Sequence, residues 1–218
     1  MSRARGPSLV RWVAFSLALT AALPLLGSLV VRAWVAEPYR VPSGSMAPTL
    51  VIGDHVLAWK GAFMEPIARG TIVVFPAPQE PSAKYIKRVV GLPGDEIAFD
   101  QDQPVITGLR ADHGEPSPGV DVDDQCESRD VSWVDETIEG RSWTIALSER
   151  PGMLANSQKV VVPPGMLYVV GDNRDHSQDS RVWGFVDQAD VIGTVDRIWW
   201  SWDACAGGPR SERTGLVR

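Results

Sequence analysis

The sequence predicts a mostly β protein: an amino-terminal transmembrane helix, then an antiparallel β-rich body that carries a β-rich insertion. Three observations predict it. Val13 to Val31 is a run of 19 residues without a charge, inside the roughly 17 to 25 that a spanning helix needs. Beyond it, short segments alternate apolar and polar residues or run as β-branched stretches bounded by Gly and Pro, the pattern of strands. After that run no helix-period pattern and no internal repeat stands out, which leaves an antiparallel β architecture.

At 218 residues the chain can bury one sizeable core on the usual allowance of about 100 to 200 residues per domain. A net charge of -6 and a pI near 5.1 argue against nucleic acid as a partner, which calls for a basic face. Arg3, Arg5 and Arg11 precede the apolar run, so the positive-inside rule places residues 1–12 in the cytoplasm, 13–31 in the membrane and the body outside. A cleaved signal peptide has a shorter apolar region, about 7 to 15 residues, ending in small side chains. Here the run leads into Arg32-Ala33-Trp34-Val35-Ala36, and cleavage after Ala36 would put Trp34 where a small residue is needed. The run therefore reads as a retained anchor, with Pro24 as a kink. Cys126 and Cys205 both fall on the outer side, where disulfides persist. A bridge and two free thiols are both open to them, and neither has a partner at metal-ligand spacing.

Along the body, residues 37–95 form the first part of the core. Gly53 to Trp59 alternates as a strand, Gly70 to Pro76 is a β-branched run, and Lys84 to Val90 is extended with Tyr85, Lys87 and Val89 on one face,. Gly91 to Asp95 is a strong turn. Residues 96–160 change texture, with loop-like stretches broken by runs such as Ser142 to Leu147, and read as the insertion. Residues 161–205 return to core composition in Met166 to Val170 and Val191 to Trp202, and 206–218 reads as a loose tail. Packing is the plainer role for Trp199, Trp200 and Trp202, and anchoring at a membrane interface the sharper one.

Three blocks carry chemistry. Pro42 to Leu50, PSGSMAPTL, sets Ser43 and Ser45 around a glycine and ahead of a proline, a sharply shaped backbone suited to presenting a nucleophile. A serine hydroxyl needs a base within hydrogen-bond reach. Lys87 lies in YIKRVVGLPGD, and the third block is Gly171 to Gly184, GDNRDHSQDSRVWG. No GxSxG, HExxH, SxxK or phosphate-cradling loop is present, which removes several hydrolase rivals. For Lys87 to accept a proton near neutrality its pKa must drop by roughly 2 to 3 from about 10.4. Desolvation is the obvious source. Arg88 points to the opposite face of the strand and contributes little.

Together these blocks resemble the bacterial type I signal peptidases, membrane-anchored serine proteases with a Ser-Lys dyad. The resemblance covers about 37–95 and 160–202 and leaves the insertion outside. It implies Ser45 as nucleophile, Lys87 as general base, and Ser43 with the Ser45 backbone N–H as the oxyanion hole. It implies that Ser177 hydrogen-bonds and orients the lysine, while Asp179 and Arg181 hold the shape of the site. Tyr39, Val41, Met46, Leu50 and Ile86 match the pocket that selects small residues at positions -1 and -3 of a secretory preprotein. The implied partners are secretory preproteins and the lipid bilayer, with no cofactor and no metal. His176 departs from the family's more usual asparagine and opens a Ser-His alternative with Asp179 as orienter. His55 and His113 have no motif around them and read as surface or structural. Alternatives to general signal-peptide removal are a specialised processing peptidase, for example of a conjugation pilin, and an inactive anchored binding protein of the same fold.

Overall fold

The structure, a computed structural model, describes residues 9–150 and 152–217. Helix α1 (Leu9–Trp34) contains the whole uncharged run and is about 39 Å long at 1.5 Å per residue. Pro24 lies inside it. Among the described residues no helix is long and apolar enough to cross a membrane. Many side chains of α1, and the first eight residues of the expected cytoplasmic segment 1–12, lie outside the described residues.

The alternating segments become strands β1 (Ala36–Arg40), β2 (Asp54–Trp59), β3 (Ile72–Pro76) and β4 (Lys84–Gly91). The region after the Gly91 turn supplies β5 (Glu96–Asp100), β6 (Gln103–Ile106), β7 (Leu109–Arg110), β8 (Asp112–His113), β9 (Ser117–Val122), β10 (Ser128–Ile138) and β11 (Arg141–Leu147). Then come β12 (Val160–Val161), β13 (Met166–Val170), the one-turn helix α2 (Ser180–Trp183), β14 (Val186–Asp187), β15 (Gly193–Asp203), β16 (Gly208–Pro209) and β17 (Gly215–Leu216). The main sheet runs β1-β2-β15-β3-β4-β13-β14, with β16 and β17 beside β15. Residues 96–160 build two smaller sheets, β12-β5-β6-β7 and β11-β10-β8 with β9 on β10. Val160 pairs with Ile97, so this segment closes on its own first strand.

Period-two alternation in β4 feeds two apolar cores. Val89 joins Val73, Phe75, Leu167 and Val169 on one face, and Val90 joins Ile97, Phe99, Ile145 and Val162 between the main sheet and the smaller ones. A third core, with Met46, Leu50, Val56, Val74 and Val195, lies under the turn that carries Ser45. Each fully buried valine or leucine contributes about 1.5 to 3 kcal/mol, which makes β4 a stiff mount for a functional side chain.

Two expectations need correction. Of the expected loose tail, 206–218, the described residues 206–217 are ordered against the sheet: β16 and β17 pair with β15, and Arg213 Nη2 meets Asp54 Oδ2 at 2.8 Å and donates to Thr49 O at 3.0 Å. Those anchors are charges and backbone carbonyls, which leave no apolar period to read. The tryptophans are not packed inside either, since Trp199, Trp200 and Trp202 are 41 to 49% exposed. Register irregularities in the pairing of β15 with β2, between Ile198 and Trp200 among other places, turn successive indoles outward, as bulges do.

Cys126 and Cys205 form a disulfide across 79 residues, Cα–Cα 5.6 Å, tying the β9–β10 turn to the end of β15. Replacing both cysteines with serine is expected to cost about 2 to 4 kcal/mol, read as a lower urea midpoint. An unchanged midpoint would contradict a stabilising role.

Candidate active site

The chain between β1 and β2 is a run of tight turns. The Ala47 N–H donates to Gly44 O at 3.0 Å and the Leu50 N–H to Met46 O at 2.8 Å. Met46 and Leu50 are buried beneath. Asp54 closes the base: Oδ2 accepts from the Val51 N–H at 2.9 Å and Oδ1 from Ser201 Oγ at 2.6 Å. Apolar and polar anchors thus act together to hold Ser45 up, half-buried, with Ser43 Oγ 3.4 Å from its Oγ.

Lys87 lies in β4 opposite Val73 and is only 4% exposed. Its Nζ donates to Ser45 Oγ at 2.6 Å, so two residues 42 apart in sequence are brought into direct contact. The Tyr85 ring centroid is 5.5 Å from the same nitrogen. Burial removes hydration from the ammonium and lowers its pKa, Asp179 and Asp172 pull it back up, and Arg181 lowers it further. The net result is about 8. Arg88, on the other side of the strand, binds Asp172 through Nε at 2.8 Å and Nη2 at 2.6 Å and stacks 4.8 Å over Trp143.

The glycine-to-glycine block wraps behind this pair. Arg181 forks onto Asp179 through Nε at 2.9 Å and Nη2 at 2.8 Å, and the Gly171 N–H donates to Asp179 Oδ2 at 3.0 Å. Burial pushes the Asp179 carboxyl up, but Arg181 and that N–H outweigh it and hold it below the usual range. The Arg181 Nη2 also reaches Arg174 O at 2.6 Å, so the pair braces the loop at both ends. Gly171 is required by space: a Cβ there would sit 2.3 Å from both Ser45 O and Ser177 Oγ. Ser177, expected to hydrogen-bond Lys87, does not. Its buried Oγ has no aligned hydrogen-bond partner and lies beside Asp179, whose charge it favours. His176 is exposed, with Nδ1 3.3 Å from Asn173 Oδ1.

A cleft of about 360 Å³ opens beside Ser45 and Lys87, walled by Val41, Met46, Tyr85, Ile86, His176 and Gln178. Of the five residues expected to contact substrate, Val41, Met46 and Ile86 line it. Leu50 is fully buried below and Tyr39 packs against the same apolar cluster, so these two support the wall from behind. His113 and His55 are structural: His113 Nε2 lies 3.1 Å from Glu136 Oε2, and His55 Nδ1 lies 3.2 Å from Gly53 O.

The family model described as "Signal peptidase, peptidase S26" matches residues 9–200. The chain belongs to the signal peptidase family. This signal peptidase is 31% identical over 218 residues to Signal peptidase I of Pseudomonas aeruginosa, covering 87% of this chain and 74% of that one. Against Signal peptidase I of Aquifex aeolicus it is 32% identical over 209 residues, covering 82% and 81%. A crystal structure of a signal peptidase I from Enterococcus faecalis aligns at 29% identity over 60% of this chain and 97% of that one, with a TM-score of 0.37. As a signal peptidase the protein is a peptidase, and its site must accommodate amide hydrolysis.

Several supports of this signal peptidase site were not singled out from the sequence. Asp172 and Asn173 lie inside the third block, yet their partners Arg88 and Asp121 are 84 and 52 residues away. Arg174 is fully buried against Glu136, Nη1 to Oε2 at 2.8 Å. A cluster of charges in a loop was the available signal; which charges pair depends on the fold.

Proposed function

We propose that this signal peptidase is a membrane-anchored serine endopeptidase that removes amino-terminal signal peptides from exported preproteins, with Ser45 as nucleophile and Lys87 as general base. The observation that carries the reading is the 2.6 Å contact between a buried lysine nitrogen and Ser45 Oγ. When Lys87 is neutral it accepts the Ser45 hydroxyl proton as Oγ bonds to the scissile carbonyl carbon. The resulting ammonium gives that proton to the departing amine. The amine of Lys87 then takes a proton from water as its oxygen attacks the ester carbonyl, and the ammonium returns a proton to Ser45 Oγ as the acyl group leaves, restoring both groups. The Ser45 N–H and the Ser43 hydroxyl are the donors for the negative oxygen of the tetrahedral intermediate. Asp179 and Arg181 hold the loop behind Lys87. Val41, Met46 and Ile86 form an apolar wall that accepts small side chains at -1 and -3 and excludes bulky ones by contact.

Cleavage of several unrelated preproteins by the purified chain tests this reading. Wild type should cut many, and Ser45→Ala should lose activity by about 10³-fold or more. Retained cleavage by Ser45→Ala would sink the assignment, and cutting of a single precursor type would favour a specialised peptidase.

His176 lines the cleft, but its contact is with Asn173, and no hydrogen bond joins it to Ser45. His176→Asn is expected to keep kcat/KM within about tenfold, whereas a thousandfold loss in a folded variant is the scale of a missing catalytic base. That outcome would make His176 the base in place of Lys87.

Helix α1 is proposed as a single-pass anchor, on its uncharged run and the arginines before it,. The exposed indoles of β15 are suited to the polar boundary of the bilayer. Protease added to intact spheroplasts should digest the body and spare the amino terminus. Protection of the body would reverse the topology.

A further inference from the structure

We infer that Asn173 is the positioning residue of the oxyanion hole, and that through Asp121 it makes the placement of the nucleophile depend on strand β9 of the insertion. The inference rests on the reading of Ser45 as nucleophile and of its N–H as an oxyanion donor.

In a trans peptide the C=O and the N–H of the next residue lie in one plane and point in opposite directions. The peptide joining Gly44 to Ser45 is trans, so whatever holds the Gly44 carbonyl aims the Ser45 N–H. That carbonyl accepts from Asn173 Nδ2 at 3.1 Å and from the Ala47 N–H at 3.0 Å. The next carbonyl, Ser45 O, accepts from the Asn173 backbone N–H at 3.2 Å. One residue therefore grips both carbonyls that flank the nucleophile's Cα. The Ser45 N–H has no acceptor among the described residues, and is left to meet a developing negative charge.

The carboxamide is itself held in one orientation. Nδ2 also donates to Asp121 Oδ2 at 2.9 Å, while Oδ1 faces His176 Nδ1 at 3.3 Å. An ionised carboxylate can only accept, so Asp121 keeps the NH₂ of Asn173 turned toward Gly44. Asn173 and Asp121 are both buried, so removing either one leaves the other short of a hydrogen-bond partner. Gly171, two residues earlier, lets this segment press against Ser45 O.

The test is Asn173→Leu, which keeps the bulk and removes the donor. Loss of one well-placed oxyanion donor lowers kcat by about 10² to 10³, and misaiming it is expected to cost about 10- to 100-fold on that scale. KM and the affinity for an uncleavable signal peptide with proline after the cleavage site should stay within about threefold of wild type, and the apparent pKa of the kcat/KM profile within about 0.5 of it, the same factor on a logarithmic scale. Affinity for a peptide aldehyde, which forms a tetrahedral adduct on Ser45, should fall in parallel with kcat/KM. Asp121→Leu should show the same pattern at smaller amplitude, and serves as the measurement if Asn173→Leu is poorly folded. A kcat within threefold of wild type for both folded variants, or a loss carried equally by the uncleavable peptide, overturns the inference. Ser45→Ala is assayed alongside. If it is inert while the Asn173 and Asp121 variants are active, only this inference fails; if it is active, the nucleophile reading fails as well.

Discussion

Replacing Lys87 by arginine should give a folded protein with kcat/KM reduced by about a thousandfold or more, the scale of a missing general base. The positive charge is kept, so a merely electrostatic role for residue 87 would survive the change. A base cannot survive it, because the guanidinium pKa stays above about 12 and it never accepts a proton at working pH. The structure makes neutrality of Lys87 accessible: the nitrogen is buried against Tyr85 and Ser45, and its pKa is lowered to about 8. At pH 7 about a tenth of such a lysine is neutral. The wild-type rate should therefore rise about tenfold from pH 7 before it levels off above 8. More than about one per cent residual activity in Lys87→Arg would remove Lys87 from the proton transfer.

The second large effect falls on stability, at Glu136. This carboxylate is fully buried between Arg174, His113 Nε2 at 3.1 Å and Trp143 Nε1 at 3.1 Å, with both its oxygens on the Arg174 guanidinium. Glu136→Leu leaves Arg174 buried without its counter-charge, a defect that costs about 3 to 5 kcal/mol. The urea midpoint should drop accordingly, and a midpoint equal to wild type would contradict the pairing. The same group gives a pH dependence. Burial pushes the carboxyl up, but Arg174 and His113 outweigh it and hold it at about 2, below the ordinary 4.5. Because the folded value is the lower one, the contribution is fully present above the unfolded pKa and is lost as pH falls from about 4.5 toward 2. Wild type should lose more stability across that window than Glu136→Leu does.

Much of the site could be read from sequence because its key members sit on local patterns. The glycine and proline around Ser45 announce a turn, and alternation in β4 puts Lys87 on a different face from Arg88. Neither pattern says that the two meet; the 2.6 Å contact comes from folding β4 beside the turn. The supports were harder to see. Asp121 with Asn173, Glu136 with Arg174 and Asp54 with Arg213 are 52, 38 and 159 residues apart. Single polar pairs over such distances have no period, and a lone Asp or Arg otherwise reads as a solvated surface charge. Trp199 and Trp200 escape sequence reading for a related reason, since irregular pairing along β15 cancels the alternation that would hide one of them.

The chain has four lysines, Lys60, Lys84, Lys87 and Lys159, few enough for the Lys87 pKa to be measured directly. With lysine labelled at the ε carbon, NMR titration of wild type and Lys87→Arg assigns the Lys87 resonance as the one missing from the variant. This resonance should titrate near 8. A value at or above the ordinary lysine pKa of about 10.4 would mean that the amine facing Ser45 is charged at working pH, and would contradict its role as the base.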